Sequence, residues 1–544
     1  MEDYVETDVL IVGGGAAGLR AAIEAKRSGV DVLLVSKAPL GYANSTAYAG
    51  GIFRAAVRGM TAERHFEETV VGGNFLNDQR LVEVMVKEAP ARLSELGEFG
   101  VETHPSPRGV SIRGPFMMNG LGLTKPLTER VRRMGVRVLE QHHLADLITS
   151  GGRVVGAVAV DKRTGRFKAL QTSSIVLATG GLGRLYERTD NPVGTTGDGY
   201  ALAYRAGATL LDMEFVQFFP FGLAEPGLLV HMVSLSIISL GSLKNRLGED
   251  FLGKYGLSVG DYVWARDIMS RAFMLEVREG RGEMGGVLLD LSGTSEDEWA
   301  KDPWLTRVRR TWLDGFDLKK PLHIAPLAHF FMGGVEINER CETSVSGLYA
   351  AGEVVGGVHG ANRLGGNALT EATVFGARAG RYAAENTKET QTSAIDDRLV
   401  EEKREEVLGA LSRGPRRGSH PKEIKERVGR VMWMDAGIVR SREGLQRALD
   451  EVKEIGEASS MAYATTPREL VWALEAENMA LVAELIVRSA LYREESRGAH
   501  YRLDFPERDD GRWVKNVRVV RGNGRVQLGI RPVVFTRLKP GGSL

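Results

Sequence analysis

The sequence predicts an α/β fold built on a parallel, Rossmann-like sheet, and three neighbouring segments near the N terminus support this prediction. Asp8–Val12 is a short apolar run of the kind that forms a buried parallel strand. The turn GGGAAG follows, in which Gly13, Gly15 and Gly18 fit the pattern G-x-G-x-x-G. An alanine-rich helical segment then leads to a second apolar run, Asp31–Val35. In this strand–turn–helix–strand order the glycine pattern is typical of dinucleotide binding, with the pyrophosphate at the helix N-terminus.

The second predicted strand departs from the usual dinucleotide fingerprint. It ends in Ser36-Lys37, where an acidic residue would ordinarily hold a ribose. The ribose must then be bound from elsewhere in the chain, and Glu353 is the candidate. The alternative is that the glycines form a tight turn that binds no ligand.

A third apolar segment favours a flavin over a nicotinamide cofactor. Ser174–Thr179 (SIVLAT) runs into Gly180-Gly181, so that a predicted strand ends in A-T-G-G. This segment resembles the second dinucleotide motif of FAD enzymes of the glutathione-reductase type. FAD is therefore the predicted cofactor.

The stretch from Gly352 to Gly380 predicts the other half of the same site. Its many glycines allow the backbone to approach a ligand closely. Interspersed among them are an acid, two bases and two amides that can read the edges of a ligand: Glu353, His359, Asn362, Arg363 and Asn367. A solvated loop has no need of this mixture, and a packed core would reject it.

Composition excludes several other classes of protein. The chain has 544 residues, enough for two or three domains, and a net charge of +1, which gives no indication of nucleic-acid binding. Its one cysteine, Cys341, rules out an internal disulfide framework and a cluster held by four thiolates of this chain. The acidic start MEDYVETDVL lacks the apolar run of a secretory signal, and the longest apolar stretch, Met232–Leu240, is too short to span a bilayer. A cytoplasmic location is expected, with membrane association possible only through partner subunits.

Taken in order, the motifs resemble the flavoprotein subunit of succinate dehydrogenase and fumarate reductase, with L-aspartate oxidase and flavocytochrome-type fumarate reductases as relatives. The resemblance covers nearly the whole chain. Besides GGGAAG and the stretch Gly352–Gly380, the matching motifs are AGG at Ala49–Gly51, ATGG at Ala178–Gly181, TGDG at Thr196–Gly199, MEFVQF at Met213–Phe218, RDIMSRA at Arg266–Ala272, HFFMGGV at His329–Val335, MDAGIVRS at Met434–Ser441 and ESRGAHYRLDFP at Glu495–Pro506.

The resemblance implies an α/β FAD-binding (Rossmann-like) domain with an inserted α+β capping domain and a C-terminal helical domain. The expected bounds are residues 1–217 and 324–395 for the FAD-binding domain, 218–323 for the cap, 396–490 for the helical domain and 491–544 for a C-terminal tail. It also implies the FAD-binding positions, which are Gly13, Gly15, Ala16, Gly18, Ser36, Lys37, Asn44, Ser45, Gly50, Gly51, Ala145, Ala178, Thr179, Gly180, Asp198, Glu353, Asn367 and Leu369. No metal site is predicted.

The mode of FAD attachment follows from one segment. In some relatives a histidine just before the A-x-G-G glycines is linked covalently to the flavin. Here the segment reads NSTAYAGG and contains no histidine. We therefore predict noncovalent FAD, which is generally a weaker oxidant than a covalently bound flavin.

The resemblance also implies the residues of the reaction, in which a hydride moves between the flavin and a carbon next to a carboxylate. Arg266 lies at the family's proton-transfer position. His329 and Arg363 match the residues that bind one substrate carboxylate, a task suited to a guanidinium fork. Taken singly, each has a structural alternative: a buried ion pair of Arg266 with Asp267, a core histidine, or an arginine bound to a backbone carbonyl.

The half of the site that would hold a second carboxylate departs from the family. The usual QFHPTGL reads QFFPFGL, so that Phe219 and Phe221 replace a histidine and a threonine. A Thr-Glu pair followed by RGEGG is replaced by Val233-Ser234 and LSIISLG. His231 could partly replace the lost histidine, although a structural role is the stronger alternative. A carboxylate buried against phenylalanines without a partner is costly, so we expect a substrate with one apolar end.

Four functions therefore remain open on the sequence alone. The leading one is an FAD-dependent oxidoreductase that interconverts C–C and C=C bonds next to a carboxylate or carbonyl, on a substrate other than succinate. The others are an authentic fumarate reductase or succinate dehydrogenase subunit, L-aspartate oxidase, and a flavin electron carrier docked to an iron–sulfur partner. The expected partners are a small carboxylate or acyl substrate and an iron–sulfur subunit, without nucleic acid.

Overall fold

The computed structural model of the chain describes residues 4–57, 59–115, 118–226, 231–263, 265–302, 305–306, 317, 319–390, 394–414 and 418–541. Within these ranges the strands are β1 (Tyr4–Glu6), β2 (Val9–Val12), β3 (Val32–Ser36), β4 (Ile52–Arg54), β5 (Thr103–Ser106), β6 (Gly109–Ile112), β7 (Arg137–Glu140), β8 (His142–Ser150), β9 (Arg153–Asp161), β10 (Phe167–Gln171), β11 (Ser174–Leu177), β12 (Leu210–Leu211), β13 (Val216–Leu223), β14 (Ser242–Lys244), β15 (Val287–Asp290), β16 (Leu322–Phe331), β17 (Gly334–Val335), β18 (Leu348–Ala350), β19 (Lys515–Gly522) and β20 (Arg525–Pro532).

The helices in the same ranges are α1 (Ala16–Arg27), α2 (Ser45–Tyr48), α3 (Ala62–Gly72), α4 (Gln79–Glu98), α5 (Leu121–Arg133), α6 (Asp198–Arg205), α7 (Leu235–Leu240), α8 (Arg266–Arg278), α9 (Glu296–Lys301), α10 (Asn367–Glu389), α11 (Asp397–Ser412), α12 (Pro421–Asp435), α13 (Arg442–Ser460), α14 (Pro467–Tyr492) and α15 (Asp510–Trp513).

The predicted Rossmann-like element is a five-stranded parallel sheet in the order β18-β11-β2-β3-β7. All residues of its three central strands are buried, as expected for a parallel sheet covered on both faces. Helix α1 packs closely against α10, and the contact depends on Gly376 and Gly380. A Cβ on either glycine would lie within 2.5 Å of a backbone atom of α1. The strand and helix predictions for the N-terminal segments are confirmed.

A second sheet, in the order β13-β16-β15-β14, is antiparallel and lies in the region predicted as the cap. It packs with α7 and α8 around a separate apolar core that includes Phe219, Phe221 and Phe273. A core distinct from that of the parallel sheet is what an inserted domain requires. Parts of the predicted cap, residues 227–230, 264, 303–304, 307–316 and 318, lie outside the described ranges.

Helices α11 to α14 follow the two sheets and form the predicted helical region. The longest, α14, begins at Pro467 with Thr466 as its N-cap, whose side chain accepts a hydrogen bond from the Glu469 amide. Apolar residues of this helix are buried on all sides, so it runs through the centre of the bundle rather than along its surface. The mixed fold class is confirmed, while the exact domain bounds stay a prediction. Among the described residues, no helix has the length and apolarity needed to cross a membrane.

Candidate active site and cofactor cradle

Three glycine-containing turns meet at the carboxyl edge of the parallel sheet. They follow β2, β11 and β18, which are neighbours in that sheet. A Cβ on Gly13 would lie 2.0 Å from the carbonyl oxygen of Ala178, and one on Gly181 would lie 2.3 Å from Oε1 of Glu353. Segments that are far apart in the sequence therefore form one continuous cradle, at the position where open α/β sheets bind ligands.

The turn after β2 presents the N-terminus of α1. Gly15 is the N-cap of this helix and contributes no capping side chain. The Ala16 amide instead donates to Oγ1 of Thr46 at 3.1 Å. A helix N-terminus favours an anion such as a pyrophosphate, because its first amides and the helix dipole give it partial positive charge. Thr46 was not predicted as a site residue, because its hydroxyl reaches the turn only through the fold.

Asn44 and Ser45 lie at the start of α2 beside the same turn. The Asn44 side chain accepts from the Ala47 amide at 3.0 Å, so it caps α2. The Ser45 hydroxyl is buried, and no hydrogen-bond partner for it is found among the described residues. The same holds for the hydroxyl of Thr179 after β11. Buried hydroxyls of this kind are usually satisfied by a bound group.

Two glycines at predicted FAD-binding positions border open space. A Cβ built on Gly50 or Gly180 would meet no atom of the described residues within 4 Å. Together with the orphaned hydroxyls and the helix N-terminus, this open space is compatible with FAD. The individual roles of the predicted FAD-binding positions stay predictions.

Glu353, the predicted ribose ligand, lies in the turn after β18. Its Oε1 accepts from the Phe331 amide at 3.2 Å, and its backbone oxygen accepts from the Tyr200 hydroxyl at 2.7 Å. Burial raises the pKa of Glu353 to about 8. A buried carboxyl with so few donors around it is suited to receive hydroxyl donors from a ligand.

Ser36 and Lys37 lie at the end of β3, and their side chains have different hydrogen-bond partners. The Ser36 hydroxyl donates to the Ala38 carbonyl at 2.8 Å. The Lys37 ammonium donates to Asp198 at 2.6 Å and to Glu475 of α14 at 2.9 Å. Burial alone would lower the pKa of Lys37, but the two carboxylates raise it above its usual value. The side chains of Lys37 and Asp198 thus bind each other, and Glu475 joins the helical region to the sheet.

His143, Asp198 and Glu475 are close enough together to resemble a metal site. The ammonium groups of Lys37 and Lys425 balance the charges of the two carboxylates, so the cluster is an ion-pair network. Ala145, two residues further along β8, is buried, and its carbonyl accepts from Arg205 at 3.4 Å.

The start of α10 carries Asn367 and Leu369, the predicted contacts to the pyrimidine edge of the flavin. The Asn367 side chain lies 2.8 Å from Nε2 of His65 and donates to Oγ1 of Thr69 at 2.9 Å, which uses one lone pair and one hydrogen of its amide. Burial lowers the pKa of His65 to about 4, which favours the neutral ring, and Nε2–H donates to the amide oxygen. The backbone amide of Asn367 donates to the Leu364 carbonyl at 3.2 Å.

Phe219 contacts both of the predicted site residues that flank it. The Arg266 guanidinium carbon lies 5.8 Å from the centre of the Phe219 ring, and the His329 ring centre lies 5.7 Å from it. Phe221 is completely buried and packs edge-on behind Phe219, with ring centres 5.8 Å apart. Phe219 therefore forms the surface of the site, and Phe221 supports it from the cap core.

Arg363 is held in place by contacts with Gln217 and Phe330. Its Nη2 donates to Oε1 of Gln217 at 2.9 Å, and its guanidinium stacks on Phe330 with 4.5 Å between the guanidinium carbon and the ring centre. Burial, and then the nearby charge of Arg266, lowers the pKa of Arg363 to about 9. The charges of Arg266 and Arg363 therefore lie within electrostatic range of each other. Gln217 was not predicted.

His329 forms a pair with an unpredicted residue, Asp190. Its Nδ1 lies 2.7 Å from Oδ2 of Asp190, and both side chains are largely buried. His231 of the cap is also near Asp190: burial lowers the pKa of His231, and the charge of Asp190 opposes this shift. The Leu223 amide donates to the His231 carbonyl at 2.7 Å, and the Val233 amide donates to the Phe221 carbonyl at 2.8 Å. The segment that departs from the family therefore lies along the end of β13.

Comparison with known families gives two matches that together cover most of the chain. Residues 8–369 match the FAD binding domain family. Residues 425–543 match the family described as fumarate reductase flavoprotein C-term.

Among curated proteins, the chain is 39% identical over 531 residues to one subunit of the fumarate reductase (CoM/CoB) of Methanothermobacter marburgensis, with 93% of this chain and 95% of that protein covered. It is 38% identical to an uncharacterized FAD-dependent oxidoreductase of Methanocaldococcus jannaschii, with 95% and 97% covered.

Among solved structures, a mutant of the quinol fumarate reductase of E. coli superposes with a TM-score of 0.89 at 30% identity, covering 99% of both chains. Sdh1 of Mycobacterium smegmatis gives a TM-score of 0.88 at 31% identity, covering 99% of this chain and 96% of the other.

Proposed function

This chain belongs to the succinate dehydrogenase/fumarate reductase flavoprotein family, and we propose that it interconverts C–C and C=C bonds on a substrate with one carboxylate or carbonyl end and one apolar end. It is a flavin-dependent oxidoreductase with FAD as its cofactor. The substrate preference and the residue roles that follow are part of the proposal.

The observation that supports the substrate class is the position of Phe219. Its ring lies against both Arg266 and His329, so an apolar surface replaces a polar group next to the retained clamp. Phe221 and Val233 continue this apolar surface into the cap core. A second carboxylate placed there without a partner would cost on the order of several kcal/mol. An alkyl or aryl group would instead gain from leaving water.

The family residues that this chain retains have separate proposed roles in the reaction. Arg363 and His329 bind the carboxylate or carbonyl, and Arg363 is oriented by Gln217 for this purpose. Arg266, at the N-terminus of α8, moves the proton to or from the carbon beside that group. Bound FAD supplies the hydride chemistry. The cap residues exclude water from the reacting carbons, which strengthens the electrostatic contacts.

Noncovalent attachment of FAD is also part of the proposal. The segment NSTAYAGG provides no histidine, and the described residues of the cradle hold their polar atoms toward a ligand without a covalent linker. Denaturation with acid should therefore release all of the flavin into the supernatant.

Fumarate reduction is the second candidate. It is favoured by the names of relatives that cover nearly the whole chain and by the presence of Arg266, His329 and Arg363 together. His231 would then have to serve the second carboxylate. For either function we propose an iron–sulfur protein as the electron partner, because this chain alone has one cysteine.

One experiment separates these functions. The purified flavoprotein is photoreduced without oxygen, and fumarate, crotonate or cinnamate is added while flavin absorbance is followed. We expect faster reoxidation by crotonate or cinnamate than by fumarate, and loss of this reaction in Arg266→Gln. Faster reoxidation by fumarate would favour the second candidate. Slow reoxidation by every acid, unchanged in Arg266→Gln, would instead indicate an electron carrier.

A further inference from the structure

The segment Thr189–Asn191 is attached to strand β16 at the residue that carries the carboxylate clamp. Oγ1 of Thr189 donates to the Ala328 carbonyl at 2.7 Å, and Nδ2 of Asn191 donates to the His329 carbonyl at 3.1 Å. The Ala328 amide in turn donates to the Arg188 carbonyl at 2.9 Å. The segment therefore fixes the backbone of β16 on both sides of His329.

Asp190 extends this attachment to the histidine side chain. Its Oδ2 lies 2.7 Å from Nδ1 of His329, and its Oδ1 accepts from Nδ2 of Asn191 at 2.9 Å. The side chain of Asp190 is only 12% exposed, so water competes weakly for the carboxylate. A carboxylate can only accept in such a contact, so Nδ1 of His329 carries a proton, and Nε2 is a second donor when the ring is an imidazolium.

The other ring nitrogen of His329 is left for the substrate. Within the described residues no hydrogen bond from Nε2 is found, and 22% of the side chain is exposed. With Nδ1 occupied and the backbone fixed, rotation of the ring would break the contact to Asp190. The orientation of the imidazole next to Phe219 is therefore determined by a residue that does not itself reach the site.

We propose that Asp190 is a positioning residue that binds Nδ1–H of the His329 imidazolium and holds the ring in the orientation in which Nε2–H donates to the substrate carboxylate or carbonyl. This inference rests on the proposed function for the role of His329. It explains why a carboxylate can lie so near an anion site: Asp190 is directed at the far side of the imidazole and its charge is shared with that ring. Arg363 supplies a fixed positive charge for the substrate anion, and His329 supplies a hydrogen bond that orients that anion.

The test compares Asp190→Asn with His329→Gln and the double variant. Loss of an oriented contact to a charged group should raise KM for the acid about 10- to 100-fold. We expect kcat to change less, because the contact is made in both the ground state and the transition state. In the His329→Gln background, Asp190→Asn should add little, since it acts through that ring. Additive effects would show that Asp190 acts independently and would overturn the proposal.

A matched control is available on the same strand. Glu225 pairs with His323 of β16, with 3.1 Å between Oε1 and Nδ1, at the end away from the clamp. Glu225→Gln removes a comparable histidine–carboxylate contact and should leave KM unchanged. If it raised KM as much as Asp190→Asn, the effect would be a general loosening of β16. Equal melting temperatures and flavin content of the variants exclude a folding defect.

A spectroscopic measurement tests Asp190 independently of the substrate. In protein labelled with ¹⁵N-histidine, the His329 signals, assigned from His329→Gln, should show a proton on Nδ1 that disappears in Asp190→Asn. The same spectrum in both proteins would overturn the proposal even if the acids react as expected. Conversely, a lost Nδ1 proton in a protein that prefers fumarate would support the role of Asp190 and contradict the proposed substrate class.

Discussion

Phe219 shows how one side chain can redirect an otherwise retained site. Its ring contacts Arg266 and His329, and it is 6% exposed. A histidine at this position would offer a donor to a second carboxylate, whereas the phenylalanine offers only an apolar surface. Preference between substrates is a difference of affinities, so the loss of one partner weighs against dicarboxylates and in favour of apolar acids.

We predict that Phe219→His increases the rate of flavin reoxidation by fumarate relative to cinnamate by at least about 10-fold, the worth of one hydrogen bond to a charged group. Phe219→Leu is the control, because it keeps the site apolar while reducing its volume. The ratio of the two rates is measured after photoreduction. An unchanged ratio in Phe219→His would show that the other end of the substrate lies elsewhere.

Glu371 is a buried carboxyl of helix α10 at the contact between this helix and the parallel sheet, and its ionisation destabilises the folded chain. Its Oε1 accepts from the Gly352 amide at 3.1 Å, and burial, opposed by that hydrogen bond, raises its pKa to about 8. Because the pKa in the folded chain lies above the unfolded value, the folded state binds the extra proton. Stability is therefore retained at acidic pH and declines as the pH rises from the unfolded pKa toward 8.

We predict that Glu371→Gln in the FAD-free protein melts about 3 °C above the unmodified chain at pH 9 and no higher at pH 5. The glutamine keeps an acceptor for Gly352 and removes the buried charge. Melting curves at the two pH values provide the measurement. A gain of equal size at both would show that packing, and not ionisation, is responsible.

Lys37 forms ion pairs that connect the parallel sheet to the helical region. It joins β3 to Asp198 at the start of α6 and to Glu475 in the middle of α14. Lys425 of α12 pairs with the other oxygen of Glu475. The network is buried at the junction of the sheet and the helical region. Removing one partner of such a network leaves an uncompensated charge.

We predict that Lys37→Met lowers the melting temperature strongly, because breaking a buried pair costs about 3–5 kcal/mol. The double variant Lys37→Met/Asp198→Asn should recover part of this loss, since Asp198, the carboxylate left without a lysine partner, is removed as well. FAD affinity, followed by flavin fluorescence on dilution, should fall in the single variant. A double variant less stable than the single one would contradict an electrostatic origin.

The sequence alone determined the Rossmann-like turn and the parallel strands, because these depend on local periodicity and on glycines at fixed spacing. The FAD class, the candidate roles of Arg266, His329 and Arg363, and the altered half of the site at Phe219 and Val233 followed from the resemblance of their motifs to a known family. These features depend on residues that are close together in the sequence, so they can be predicted without the three-dimensional structure.

Only the tertiary structure determined the partners of those residues. Asp190 lies 139 positions from His329, and Thr46, Gln217 and Glu475 lie 30, 146 and 438 positions from Ala16, Arg363 and Lys37. Nothing in the local pattern distinguishes these side chains from surface polar residues. Their roles arise because chain crossings bring them into low-dielectric contact with a charged or donor group, where a hydrogen bond fixes orientation and an unpaired charge is costly.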